Sequence, residues 1–96
     1  MNFLYFDTAH AITVHDDIII KSGGSLGILN IGLLESTLEH VQNDMYYPSL
    51  VDKVTHLFYS INKNHSFQDG NKRAAIILAA YFLEINGLDY RVSVFM

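Results

Sequence analysis

The sequence predicts a small all-α domain of about four helices. Three observations favour this class: apolar residues recur at helical spacing, residues typical of helix starts precede those segments, and glycine or proline follows them. Half of the 96 residues are hydrophobic and 17% are charged, which is enough apolar material for one modest core and is not typical of disorder. We therefore expect a single domain over residues 1–96.

The first predicted helix begins after Asp7 or Thr8, either of which can cap its N-terminus, and continues to about Lys21. Gly23 is a reasonable stop. The segment from Ser22 to Gly27 is too rich in glycine for anything but a loop. Because it lacks the Gly-x-x-x-x-Gly-Lys-Ser/Thr pattern, we do not predict that it binds nucleotide. The core candidates of this helix are Ile12, Ile18 and Ile19.

The second and third predicted helices flank a connection that contains Pro48. Asn30 is a good N-cap for the second helix, and the third begins with a capping box formed by Ser49 and Asp52. Pro48 forces Tyr47 out of helical geometry, so residues 43–48 form the connection. The apolar stripes expected to face the core are Leu34, Leu38, Val41 and Met45 in the second helix, and Leu50, Val54, Leu57, Phe58 and Ile61 in the third.

The fourth predicted helix begins at Asn71 and is so apolar that we expect it to be buried at the centre of the domain. Its uninterrupted apolar run is about half the length that a membrane span needs, so it is interpreted as a core helix. It ends near Asn86, where Gly87 suits a left-handed position after the C-terminus. Beyond it, Asp89 to Phe95 alternates polar and apolar residues and is predicted to be a short strand or an extended tail.

The stretch from His65 to Arg73 lies between two apolar segments and contains an imidazole, a carboxylate, a glycine and two cations. A helix N-terminus offers unpaired backbone N–H groups and a partial positive charge, so it favours phosphate. Gly70 lets the backbone approach a ligand closely, and Asn71, Lys72 and Arg73 add donors at the same end. Since cations there oppose the helix dipole unless an anion compensates them, the pattern indicates an anion-binding site.

Two further side chains of this stretch suggest a reaction. Asp69 can supply a hard oxygen ligand to a Mg²⁺ ion that also binds phosphate oxygens, or it can cap the fourth helix. His65 can take a proton from a hydroxyl, because imidazole exchanges its proton near neutral pH. A base, a metal ligand and an anion site together predict phosphoryl or nucleotidyl transfer. The remaining histidines have no motif around them and are interpreted as packed or solvated: His10, His15, His40 and His56.

The order of residues in this stretch resembles the signature of the Fic/Doc family, His-x-Phe-x-Asp/Glu-Gly-Asn-Gly/Lys-Arg, and matches it at every defined position. A weaker similarity to Doc-like chains extends from about Ala9 to Gly87. Lys72 stands where the adenylylating Fic members usually have glycine, and Ile76 stands where they have a second arginine. The chain therefore looks like the Doc, or death-on-curing, branch, whose members resemble kinases of a translation factor.

The resemblance implies a small Fic/Doc-like helical domain that transfers a phosphoryl group from ATP, with Mg²⁺, to a serine or threonine hydroxyl of a protein. It implies elongation factor Tu as the target and a small antitoxin of the prevent-host-death type as the inhibitor. Because Doc-like relatives continue with further helices, it also implies a longer natural protein or a chain truncated at its C-terminus. The expected roles are general base for His65, Mg²⁺ ligand for Asp69, shaping of the anion site for Gly70 and Asn71, and phosphate binding for Lys72 and Arg73.

Two alternatives stay open at this point. Adenylylation, the reaction of the Fic branch, would keep every residue role except the orientation of the nucleotide, and Lys72 and Ile76 argue against it. A catalytically silent interaction module, as one half of a toxin–antitoxin complex, is the other alternative. The intact motif argues against it, whereas the short C-terminus argues for it.

Charge and cysteine content narrow the expected partners. The formal net charge of −4 argues against a broad grip on the phosphate backbone of nucleic acid, although a local basic spot remains compatible with one nucleotide. The absence of cysteine excludes disulfides and cysteine-based metal sites, which is typical of a cytoplasmic protein. We expect neither direct nucleic-acid binding nor membrane association.

Overall fold

The computed structural model describes residues 2–88 as a helical domain. Its elements are α1 (Thr8–Ser22), α2 (Ile31–His40), α3 (Leu50–Asn64) and α4 (Asn71–Ile85). No strand occurs within residues 2–88, where the β-type pairing is an isolated antiparallel bridge between Ile28 and Phe67. The predicted all-α class is therefore confirmed. The strand or tail predicted at Asp89 to Phe95 lies outside the described residues.

The helix boundaries follow from local capping, as the sequence predicts. The side chain of Asp7 accepts a hydrogen bond from the His10 amide at the start of α1, and that of Asn30 accepts one from the Leu33 amide at the start of α2. The Ser49–Asp52 capping box forms at the start of α3. Each of these bonds satisfies an amide that would otherwise have no partner in the first helical turn.

The centre of the domain is α4, which packs most extensively against α3 and also contacts α1. Three alanines on its buried face let the neighbouring helices approach closely, and Leu78 and Phe82 fill the core between them. Within residues 2–88 the opposite face is only partly covered, because Ile76 and Ile77 are each almost half exposed. The prediction that α4 is the buried central helix is thus correct for one face only. The three alanines are Ala74, Ala75 and Ala79.

Two core predictions are wrong. Met45 is 92% exposed because α2 ends at His40, so the helical spacing that aligned it with Val41 no longer applies. Phe58 is 38% exposed because it lies on the outer side of α3, whereas Leu57 and Ile61 face the core. In α1, Ile19 is buried as predicted, and the two other expected core residues, Ile12 and Ile18, are partly buried against the core.

Lys53 is a fully buried charge that connects α3 to the segment after α2. Its Nζ donates hydrogen bonds to the Val41 carbonyl and to Asp44 Oδ1, each at 2.8 Å, and it lies over the rings of Phe3 and Tyr5. Burial alone would lower the pKa of Lys53, but hydrogen bonds with Asp44 and Tyr5 outweigh this effect and the pKa is raised. The lysine therefore stays charged and holds the start of α3 against the α2–α3 connection. None of the helices described is long and apolar enough to span a bilayer.

Candidate active site

The N-terminus of α4 opens without a side-chain cap. Gly70 is the N-cap residue in a left-handed conformation (φ 74°, ψ 20°). No side chain among residues 2–88 bonds to the free amides of the first turn, which also lacks an acidic residue. A Cβ at Gly70 would meet Ile19 Cδ1 at 2.8 Å, so both the conformation and the space require glycine. The exposed residues Lys72 and Arg73 add two cations to this positive end of the helix dipole.

A cavity of about 420 Å³ lies at this helix end, and all six predicted site residues line it. His65 reaches it from the C-terminus of α3, where its backbone is left-handed (φ 49°, ψ 49°) and its side chain is exposed. A left-handed conformation is uncommon for a residue other than glycine, but many helices end with a residue in this conformation. The remaining lining residues are Asn62, Gln68, Asp69, Gly70, Asn71, Lys72 and Arg73.

Phe67 anchors the loop between α3 and α4, because its side chain is fully buried. The side chain of Asn71 brackets it: Asn71 Oδ1 accepts from the Phe67 amide at 3.1 Å, and Asn71 Nδ2 donates to the Phe67 carbonyl at 3.0 Å. Asn71 is itself buried. Its amide group therefore bonds to the loop backbone, whereas the sequence suggested an additional donor for an anion.

The glycine-rich segment after α1 packs along the same loop. Gln68 donates its amide hydrogen to the Gly27 carbonyl at 3.0 Å, and the Ser66 carbonyl accepts bonds from Leu29 and Asn30 at 2.8 and 3.0 Å. Together with the Ile28–Phe67 bridge, these bonds hold the motif loop from its outer side. The sequence shows this segment as an irregular loop, and nothing in its local pattern indicates which partner it pairs with.

Asp69 presents an ionised carboxylate beside the cavity. Hydrogen bonds from the Gly70 amide to Oδ1 at 2.8 Å and from the Ser25 amide to Oδ2 at 3.3 Å hold its pKa below the ordinary value, and the charge of Arg73 lowers it further. Because Gly70 is the N-cap of α4, Asp69 does not serve as the cap that the sequence left open. Within residues 2–88, no group of three histidine or acidic side chains is close enough to hold a metal ion alone.

His15 is a residue of this region that the sequence analysis did not assign to the site. It is fully buried on α1, its ring stacks on that of Phe67 with centroids 3.8 Å apart, and its Nε2 lies 2.6 Å from the Asp69 carbonyl oxygen. Its interpretation as a packed histidine is correct, but its contact with the motif was missed. The spacing of His15 along the helix indicates its burial, since it shares the buried face of α1 with Ala11 and Ile19.

Arg73 connects the cavity to α1 through a hydrogen bond from its Nη1 to Ser22 Oγ. It also lies at the edge of a second, mostly apolar cavity of about 610 Å³ between α1 and α4, lined by Ile18, Ile76 and Ile77 among others. Lys72 also lines the first cavity, but it is exposed and no side-chain hydrogen bond connects it to the described residues. The two predicted phosphate-binding cations therefore differ, because Arg73 is held in place and Lys72 extends into solvent.

Comparison with known proteins agrees with the motif. A sequence model of the Fic/DOC family matches residues 5–83. Toxin Doc of Mycolicibacterium smegmatis is 38% identical over 88 residues, covering 88% of this chain and 65% of the relative. Protein kinase doc of Escherichia phage P1 is 33% identical over 81 residues, covering 80% of this chain and 64% of the relative. The chain thus spans slightly less than two thirds of the length of these relatives, and it belongs to the Doc branch of the Fic/Doc family.

Proposed function

We propose that this protein is a Doc-like toxin that transfers the γ-phosphoryl group of ATP to a serine or threonine hydroxyl of a protein. The observation that carries the proposal is one cavity in which an exposed imidazole, His65, faces an uncapped helix N-terminus bearing Lys72 and Arg73. The free amides and cations suit the charge of phosphates, and the imidazole suits the proton of an attacking hydroxyl. The relative named as a protein kinase supports the same reaction class.

In this reaction the target hydroxyl oxygen attacks the γ-phosphorus, and the bond between that phosphorus and the β–γ bridging oxygen breaks. His65 takes the hydroxyl proton, and ADP leaves with the electron pair of the broken bond. The backbone at Gly70 and Asn71 shapes the anion site, while Lys72 and Arg73 bind phosphate oxygens. Because the charge is spread over phosphate oxygens, positioned donors at the helix end do most of the work that such a transfer requires.

The residues present fit a Mg²⁺ ion that is shared with the nucleotide. Asp69 is an ionised carboxylate at the cavity, and each of its oxygens accepts one described backbone bond, which leaves lone pairs for a cation. A single protein carboxylate is the usual contribution to a magnesium ion that phosphates also bind. When bound, the ion would neutralise phosphate charge.

Elongation factor Tu is the proposed target, with the cytoplasm as the place of action, and a small antitoxin of the prevent-host-death type is the proposed inhibitor. The motif resemblance supports both assignments, and the similarity to Toxin Doc of Mycolicibacterium smegmatis supports the role of a toxin. Lys72 and Ile76, the two positions that separate this chain from the adenylylating pattern, both lie on α4 beside the site, and both side chains are exposed.

The test is a paired labelling assay with the purified chain, Mg²⁺ and elongation factor Tu. One reaction contains ATP labelled at the γ-phosphate and the other contains ATP labelled at the α-phosphate. We expect γ-label on the factor, reduced by about a hundredfold to ten-thousandfold in His65→Ala, the usual contribution of acid–base catalysis.

His40→Ala is the matched control, since His40 is an exposed histidine at the end of α2 that does not line the cavity. Label from the α-phosphate would instead identify an adenylyltransferase. No label on the factor, or label that is unchanged in His65→Ala, would refute the proposed reaction.

A further inference from the structure

The motif loop rests on a buried histidine from another helix. His15 lies 54 positions before Asp69, yet its Nε2 is 2.6 Å from the Asp69 carbonyl oxygen. A backbone carbonyl can only accept, so Nε2 carries the hydrogen and donates it. On the other side of the ring, Nδ1 lies 3.2 Å from Asp16 Oδ1. The bond from His15 Nε2 to the Asp69 carbonyl fixes the backbone of Asp69, the residue whose carboxylate faces the cavity.

The same ring lies beside two further residues of the loop, Phe67 and Gly70. It stacks on Phe67 with the ring planes only 5° apart, and a Cβ at Gly70 would lie 3.6 Å from His15 Nε2. One imidazole therefore contacts both Phe67 and Asp69 and lies close to Gly70. Because interiors are closely packed, a shift of this ring moves the loop that lies on it.

We propose that His15 is a positioning residue for the Asp69 carboxylate. Its Nε2–H holds the Asp69 carbonyl toward α1, which leaves the carboxylate directed at the amides of Gly70 and Ser25 and at the cavity. The effect on catalysis rests on the proposed transfer reaction, in which Asp69 binds the metal ion. The effect on the loop does not depend on that reaction.

Two matched pairs of variants separate the hydrogen bond from the ring stack. His15→Phe keeps an aromatic ring beside Phe67 and removes the donor. His15→Gln removes the ring but keeps an amide donor, and His15→Met is its donor-free counterpart of similar length. His10→Phe is the control, since His10 is on the same helix but stacks on Tyr81.

The first readout is the backbone amide chemical shift of Gly70 and Ser25, measured by nuclear magnetic resonance. These amides donate to the Asp69 carboxylate, so they report its position without any need for activity. We expect both amides to shift in His15→Phe and His15→Met, to return toward the wild-type values in His15→Gln, and to stay unchanged in His10→Phe.

The second readout is the rate of transfer at saturating nucleotide, compared with the KM for Mg·ATP. We expect His15→Phe and His15→Met to lose about 10- to 100-fold in kcat/KM, the usual effect of disturbing the support of a metal ligand, with His15→Gln recovering most of the loss. If His15→Phe does not fold, the Gln and Met pair alone decides between donor and packing.

Equal amide shifts and equal kinetics in His15→Gln and His15→Met would overturn the proposal, because the donor would then be without effect. A wild-type chain that transfers no label would refute the proposed function alone. In that case the amide shifts would still show whether His15 positions Asp69.

Discussion

Replacing Asn71 by alanine tests whether this residue holds the motif loop or serves the ligand. The change removes both hydrogen bonds to the Phe67 backbone, which are 3.1 and 3.0 Å long and buried. Each buried backbone group left without a partner costs about 1–3 kcal/mol, and alanine recovers up to about 0.7 kcal/mol in helix propensity. The two groups together cost about 2–6 kcal/mol, so we expect a net loss of about 1–6 kcal/mol, a large part of the roughly 5–15 kcal/mol typical of a domain.

The assay is urea unfolding followed by far-ultraviolet circular dichroism, with Asn62→Ala as the matched control. Asn62 lines the same cavity from the interior of α3, but no side-chain hydrogen bond connects it to the described residues. Its replacement gains the same propensity and leaves no backbone group unpaired, so its midpoint should stay equal or rise. A loss below about 1 kcal/mol in Asn71→Ala, combined with weaker nucleotide binding, would show that Asn71 is a ligand residue and not the support of the loop.

Three further predictions concern the site and its surroundings. Gly24→Ala should weaken Mg²⁺-dependent nucleotide binding by about tenfold in titration calorimetry, because its Cβ would lie 2.7 Å from Asp69 Oδ2; Gly23→Ala, also at positive φ but in open space, should leave binding unchanged. Arg73→Lys should weaken nucleotide binding although it conserves the charge, because lysine has no planar fork of N–H groups to bond Ser22 and a phosphate together. Equal nucleotide affinities of the wild type and the variant would contradict a forked contact. Burial lowers the pKa of His56 in the folded protein, so the unfolded chain binds this proton more readily. The free energy of unfolding should therefore fall as pH drops below 6.5, and this pH dependence should be weaker in His56→Phe.

The helices could be predicted from the sequence because their ends depend on neighbouring residues. Asp7, Asn30 and the Ser49–Asp52 pair each bond to an amide three positions along the chain, so a short window contains all the information. Met45 was misplaced for a related reason. Helical spacing continues in the sequence past His40, although turns after it end the helix and the Asn43 side chain accepts from the Met45 amide.

The surroundings of the motif could not be predicted, because each contact joins distant parts of the chain. His15 and Asp69 are 54 positions apart, and the Ser25 amide reaches Asp69 across 44 positions. Nothing in the local pattern of either residue identifies the other. Lys53 is a comparable case, since a lysine in a helix is normally solvated, and only the tertiary arrangement shows its burial beside Asp44.

These contacts indicate that the nine-residue motif is not self-sufficient. The motif supplies the side chains, but the carboxylate of Asp69 is directed by two amides and its carbonyl by one imidazole, and Ser25 and His15 both lie outside the motif. Ser25 and His15 each contribute one hydrogen bond from a separate part of the chain. Loss of either bond should therefore reorient the Asp69 carboxylate without unfolding α4. Grafting residues 65–73 onto another pair of helices should therefore preserve phosphate binding by the free amides of the helix end and lose the metal-dependent part of nucleotide binding. A graft that retained the full magnesium dependence of nucleotide affinity in titration calorimetry would show that α1 and the glycine-rich segment contribute stability but not geometry.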